Sequence, residues 1–136
     1  MRRPLAILHL LCFLGFLTAW TVVLLRPVPE APKRVLTDWE AFIVGKSLHV
    51  GVYAFLAALG GTLAVLGRRW PWVLSALIVH GALTEYFQQF VGRGASVKDV
   101  GLDSIGIALG GLIAWAIRRY ANRRPVPLPL ASPTQE

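Results

Sequence analysis

A chain of 136 residues that is 55% hydrophobic and only 15% charged falls outside the balance of a water-soluble domain. Its net charge of +7 does not mark a nucleic-acid binder, because the basic residues stand in pairs at the ends of apolar runs rather than along one polar face. One cysteine, Cys12, excludes an internal disulfide and a cysteine metal cluster.

A bilayer core about 30 Å thick requires roughly 20 apolar helical residues per crossing, and four stretches approach that length. The first, residues 5–25, is uncharged and follows Arg2 and Arg3. A cleavable leader would have an apolar part of about 7–15 residues ending in a small-x-small site; no convincing site occurs, so a retained helix is expected. His9 and Cys12 read as packing residues within it. Residues 26–37 begin RPVPEAPKRV, whose three prolines predict an extended external linker.

Thr37-Asp38-Trp39-Glu40 has the Thr-x-x-Glu spacing of a capping box, so a second helix should start near Asp38. Continued to Gly67 it would be about 45 Å long, with Trp39 and Phe42 in the membrane interface and a bend at Gly45. Arg68-Arg69-Trp70-Pro71-Trp72 then predicts a tight cytoplasmic turn, with proline in the first turn of helix three. The uncharged parts of the last two stretches, 70–84 and 104–117, are short. They reach full length only by taking Glu85 and Asp103 into the membrane. Residues 92–98 would join them on the external side, with Lys98 a solvated loop charge.

Small residues recur at helical spacing in Ala54-x-x-x-Ala58, Ala57-x-x-x-Gly61 and Gly106-x-x-x-Gly110, which lets membrane helices approach closely. Residues 118–136 are basic and then proline-rich, ending in a predicted disordered tail, PVPLPLASPTQE. The expected fold is an all-α integral membrane protein with four transmembrane helices: 1–25, a linker 26–37, a three-helix core 38–117 and a tail 118–136. Placing both termini in the cytoplasm puts Arg2, Arg3, Arg68, Arg69, Arg118, Arg119, Arg123 and Arg124 inside, against Arg26, Lys33, Arg34, Lys46, Arg93 and Lys98 outside.

The polar residues of this oily chain then collect near the outer leaflet. Lys46, His49 and Tyr53, spaced i, i+3, i+7, share one face of helix two, and Asp99, Asp103, Gly106 and Gly110 share one face of helix four. Glu85 is accompanied by Gln88 and Gln89. An ionisable group in a transmembrane helix costs about 2.5–3.5 kcal/mol at the bilayer centre on insertion scales, less near an end, so it faces a partner or a watery cavity. Lys46, His49 and Arg93 are the cations available to Glu85, with Asp99 and Asp103 competing for them. His80, in apolar surroundings, reads as packing. One histidine and scattered acids form a weak metal pattern, so neither metal nor cofactor is expected.

In this order, Lys46-x-x-His49-x-x-x-Tyr53, Glu85-x-x-Gln88, Arg93, Asp99, Asp103 and Gly106-x-x-x-Gly110 resemble the VanZ-like family of small bacterial membrane proteins, over roughly residues 38–115. The chain departs from many relatives in having Gly45 where an acid precedes the lysine, and Phe90-Val91-Gly92 where a proline precedes the arginine. The tight turn leaves the register open between Gln88 and Gln89. The resemblance implies a multi-pass protein of the bacterial cytoplasmic membrane; some relatives are associated with low-level resistance to glycopeptide antibiotics such as teicoplanin.

Three readings of function stand beside one another. In the first, Lys46, His49, Tyr53, Glu85, Gln88, Arg93, Asp99 and Asp103 bind a headgroup or peptide of a cell-wall or lipid intermediate, since mixed charges can pair with phosphate and amine alike. In the second, a membrane-embedded enzyme uses His49 or Glu85 as general base, although no Ser-His-Asp, HExxH or phosphate-loop motif occurs. In the third, the polar set only staples the helices together. The partners expected are the bilayer and an envelope ligand, without nucleic acid; a homo-oligomer is left open.

Overall fold

In the computed structural model, which describes residues 3–27, 37–94 and 96–123, each long apolar run forms a helix, because a helix satisfies its own backbone where no water can. The helices are α1 (Arg3–Leu25), α2 (Asp38–Gly61), α3 (Pro71–Gln88) and α4 (Val97–Ala121), and no strand occurs among the described residues. Short 3-10 turns at Ala64–Arg69 and Gln89–Val91 precede and follow α3. Three helical stretches, Arg3–Leu25, Trp39–Gly61 and Val97–Ala121, are long and apolar enough to cross a membrane. α3 is the short one, at 18 residues or about 27 Å, with Glu85 and Gln88 in its last turn.

Local signals set the boundaries. The capping box at the start of α2 forms: the Thr37 hydroxyl accepts from the Glu40 N–H at 3.3 Å, and the Glu40 carboxylate accepts from the Thr37 N–H at 2.8 Å. After Val91 the chain turns at Gly92, whose φ of 73° favours glycine, and the Arg93 N–H returns to the Gln88 carbonyl at 3.1 Å.

Contacts fix the direction of each helix against its neighbours. Trp20 lies beside His49 and Tyr53 while Phe13 meets Gly60, so α1 runs antiparallel to α2. His49 pairs with Asp103, Val50 meets Gly106, Ala54 meets Gly110 and Ala114 meets Gly61, so α2 and α4 run parallel. α3 returns between them, with Val73 against Gly60, Leu74 against Gly111 and Glu85 reaching Ser96. The α2–α4 seam is the tightest: a Cβ on Gly106 or Gly110 would overlap the carbonyls of Val50 and Ala54.

Burial is inverted relative to a soluble bundle. Leu8, Val79, Leu112 and Ile113 are each more than half exposed, whereas Glu85, Gln88, Asp99 and Asp103 are buried. Apolar surface on this scale marks a protein whose solvent is lipid. At one end lie Arg3, Arg68, Arg69, Arg118, Arg119 and Arg123; at the other lie Lys46, Arg93, Lys98 and the buried acids.

The structure departs from several expectations. α2 stops at Gly61 rather than Gly67: the Thr62 hydroxyl bonds back to the Ala58 and Leu59 carbonyls, and Arg118 donates to the carbonyls of Gly61, Leu63 and Gly67. No bend is needed at Gly45, through which α2 is continuous. Lys98 lies in the first turn of α4 rather than in a loop, because the helix begins at Val97. Cys12 is exposed on α1 rather than packed among the described residues. Most of the proline-rich linker and the tail from 124 onward, with Arg2, Lys33, Arg34 and Arg124, lie outside the described residues.

Candidate functional site

The polar residues converge at the end of the bundle where α2 and α4 begin. Parallel packing of these two helices sets their polar faces opposite each other, one turn at a time. Lys46 forms an ion pair with Asp99, and one turn further in His49 Nδ1 lies 2.8 Å from Asp103 Oδ1. With Asp103 ionised, that nitrogen carries the donated proton and the Nε2 lone pair is left free. Asp103 is 1% exposed, and its second oxygen is buried without a hydrogen-bond partner among the described residues. Gly81 of α3 makes room for it: a Cβ there would stand 3.0 Å from that oxygen and 3.3 Å from the Tyr53 hydroxyl.

Glu85 takes none of the cations expected for it among the described residues. Its Oε2 accepts the Ser96 backbone N–H at 3.0 Å, holding the start of α4 and satisfying a free donor at that helix N-terminus. Its Oε1 is buried with no hydrogen-bond partner among the described residues. Arg93 forms no ion pair with these acids among the described residues and donates through Nη1 to the carbonyls of Val23, Leu24 and Arg26, at 3.0, 3.4 and 3.4 Å. It therefore caps the end of α1, as Arg118 caps α2 at the opposite end of the bundle.

Above these contacts is an open cavity of about 370 Å³. Lys46, His49, Gln88, Arg93 and Asp99 line it, with Phe42 contributing an apolar wall. Lys46 also lies over the Phe42 ring, 5.4 Å from its centroid. Of the eight residues expected to bind a ligand, these five face the cavity, while Tyr53, Glu85 and Asp103 do not line it. Gln88 is 4% exposed, with an amide nitrogen that has no hydrogen-bond partner among the described residues, whereas Gln89 is on the outer surface. Glu85 and Gln89 line a second cavity of about 250 Å³ between α3 and α4, with Tyr86, Val97 and Val100.

His80 is the residue that sequence reasoning missed. Its Nδ1 lies 2.9 Å from the Tyr53 hydroxyl and its Nε2 2.8 Å from the Thr21 hydroxyl, so one imidazole links α1, α2 and α3. His9 likewise bonds the Leu59 carbonyl at 3.1 Å rather than merely packing. A signal for His80 lies in its spacing: with Leu77 three residues before and Thr84 four residues after, it occupies the inward half of α3. One ring nitrogen of His49 and one carboxylate oxygen each of Glu85 and Asp99 lie within 4.8 Å of one another, a donor set able to hold a metal ion.

Compared with protein-family models, curated proteins and solved structures, the chain matches none.

Proposed function

We propose that the chain is a VanZ-like protein of the bacterial cytoplasmic membrane that crosses it four times with both termini inside, and that its cavity binds the polar headgroup or peptide of a cell-envelope intermediate. The observation that carries this reading is the cavity itself, where cationic Lys46 and Arg93, the His49 ring and the Asp99 carboxylate border one space open to the end of the bundle. Such a lining offers donors to a phosphate and acceptors to an amine. Its position beside the lipid-facing α3–α4 cleft, which Glu85 lines, favours a ligand whose tail stays in the bilayer.

Support for four crossings comes from α3, which packs antiparallel to α2 and α4 from Val73 to Glu85 and so traverses the same depth. Support for the orientation comes from the six arginines at one end, with Trp70, Trp72 and Trp115 close by at interfacial positions. The test is expression in a glycopeptide-susceptible host of the wild type and Lys46→Ala at matched levels. Altered glycopeptide sensitivity and binding of a lipid-linked precursor are expected for the wild type only; behaviour equal to an empty vector in both assays contradicts the reading.

A second reading, an enzyme acting on the same class of lipid-linked substrate, is favoured by the His49–Asp103 dyad. A carboxylate on Nδ1 orients an imidazole for general-base work at Nε2, and His49 lines the cavity where a substrate would lie. Turnover of a lipid-linked precursor by the wild type and not by His49→Gln distinguishes it from simple binding.

A further inference from the structure

Three carboxylates, Glu85, Asp99 and Asp103, are buried at the end of the bundle where α2 and α4 begin, and among the described residues they meet one ammonium, Lys46 on Asp99, and one imidazole, His49 on Asp103. Arg93, the other nearby cation, donates instead to α1 carbonyls. Three carboxyl groups thus share one ammonium and one imidazole where the dielectric is low, an arrangement that a further cation would stabilise. We propose that His49, Glu85 and Asp99 form a binding site for one divalent transition-metal cation of the Mn²⁺ to Zn²⁺ range.

Geometry supplies the donors. One nitrogen and two carboxylate oxygens already lie within 4.8 Å of one another, so small side-chain rotations suffice to bring them to a common ion. Asp103 occupies Nδ1 of His49, which is the outer-shell carboxylate that fixes a ligating imidazole and presents Nε2 to a metal. A second observation, independent of the clustering, points to a ligand. Glu85 is 3% exposed, one of its oxygens accepts the Ser96 N–H, and the other is buried without a hydrogen-bond partner among the described residues.

The imidazole nitrogen selects against Mg²⁺ and Ca²⁺, which favour all-oxygen shells, and the carboxylates suit Mn²⁺, Co²⁺ or Zn²⁺. His49 and Asp99 line the open cavity, which provides the entry path and room for water on the remaining coordination positions. Lys46 competes with the ion for Asp99, so its ammonium sets the affinity. The site requires no envelope ligand and stands or falls separately from the binding reading above.

The test uses the full chain in lipid nanodiscs, free of any affinity tag and stripped with chelator. Titration with Co²⁺, Mn²⁺ and Zn²⁺, followed by calorimetry and by metal analysis after desalting, should give one equivalent bound. Visible absorption of the Co²⁺ form should show a ligand-field band that Zn²⁺ abolishes, which needs no variant. His49→Gln and Glu85→Gln should each weaken binding at least tenfold, Asp103→Asn about 10–100-fold through misorientation of His49, and Lys46→Met should tighten it. Absence of stoichiometric uptake by the wild type overturns the proposal, and so does uptake that His49→Gln and Glu85→Gln leave unchanged while both retain wild-type helicity. Loss of metal binding with intact precursor binding removes the metal site alone.

Discussion

His49 and Asp103 face each other at 2.8 Å across the seam of two parallel helices, and the pairing exists because Gly106 and Gly110 bring those helices into backbone contact one and two turns deeper. With any larger residue at the glycines the helices would stand apart, and the dyad would open. A packing feature thus positions a polar one.

Gly106→Leu should therefore separate α2 from α4 and destabilise the protein in detergent by at least about 1–3 kcal/mol, the usual cost of overpacking. Gly101→Leu is the matched control, since a Cβ there meets nothing within 4 Å. Thermal denaturation followed by circular dichroism should show a lowered midpoint for Gly106→Leu and near wild-type behaviour for Gly101→Leu. Equal midpoints would remove the close-contact seam.

Replacing Asp103 should separate its charge from its role as an acceptor. Asp103→Asn leaves an oxygen for His49, whereas Asp103→Ala leaves a buried ring nitrogen unpaired, at a cost of about 1–3 kcal/mol. The expected stability order is wild type, Asn, then Ala, measured in one detergent at one pH. If Ala proves as stable as Asn, the hydrogen bond contributes nothing.

The Lys46–Asp99 pair is half-buried, with side-chain exposures of 29% and 12%, so its contribution is best read as a coupling rather than as the loss from one substitution. A double-mutant cycle of Lys46→Met and Asp99→Leu should yield about 0.5–3 kcal/mol of coupling. Additive losses would mean the two side chains act separately.

His80→Phe keeps an aromatic ring and removes the bonds to Thr21 and Tyr53. Interhelical hydrogen bonds in membranes average about 0.6 kcal/mol each, so the loss of stability should be modest. Its signature should be local: α1, which is held mainly through Phe13, Trp20 and Leu24, should become more protease-sensitive than α2 and α4. Uniform loosening of all four helices would argue against a bridging role.

Orientation is tested with single cysteines in a Cys12→Ser background. Gly94→Cys should react with a membrane-impermeant maleimide on intact spheroplasts, and Asn122→Cys only after permeabilisation. The reverse pattern would invert the topology.

Features that depend on neighbours in the chain were legible from it. The Thr37–Glu40 capping box is an i, i+3 relationship, and the small residues at 106 and 110 are an i, i+4 one, so each needs only helical geometry to be seen. That the acids must gather also followed, because buried charge in lipid requires a partner. Which partner each takes did not. Glu85 was expected to meet a cation and instead holds the Ser96 N–H, while Arg93 goes to the end of α1. Those choices depend on the relative rotation of four helices, which no local pattern encodes. The end of α2 was hidden for the same reason, since the arginine that caps it comes from α4. His80 looked isolated because its neighbours in sequence are apolar; its partners belong to two other helices.

The central claim is that the cavity lined by Lys46, His49 and Asp99 holds an envelope ligand. The most direct measurement is binding of a prenyl-diphosphate-linked peptidoglycan precursor to the nanodisc-embedded protein by native mass spectrometry, with Lys46→Ala and Arg118→Gln in parallel. Lys46 lines the cavity, and Arg118 lies at the opposite end. Saturable one-to-one binding by the wild type, retained by Arg118→Gln and lost at least tenfold in Lys46→Ala, is the predicted result. No saturable binding by the wild type, or equal binding by Lys46→Ala, would contradict it.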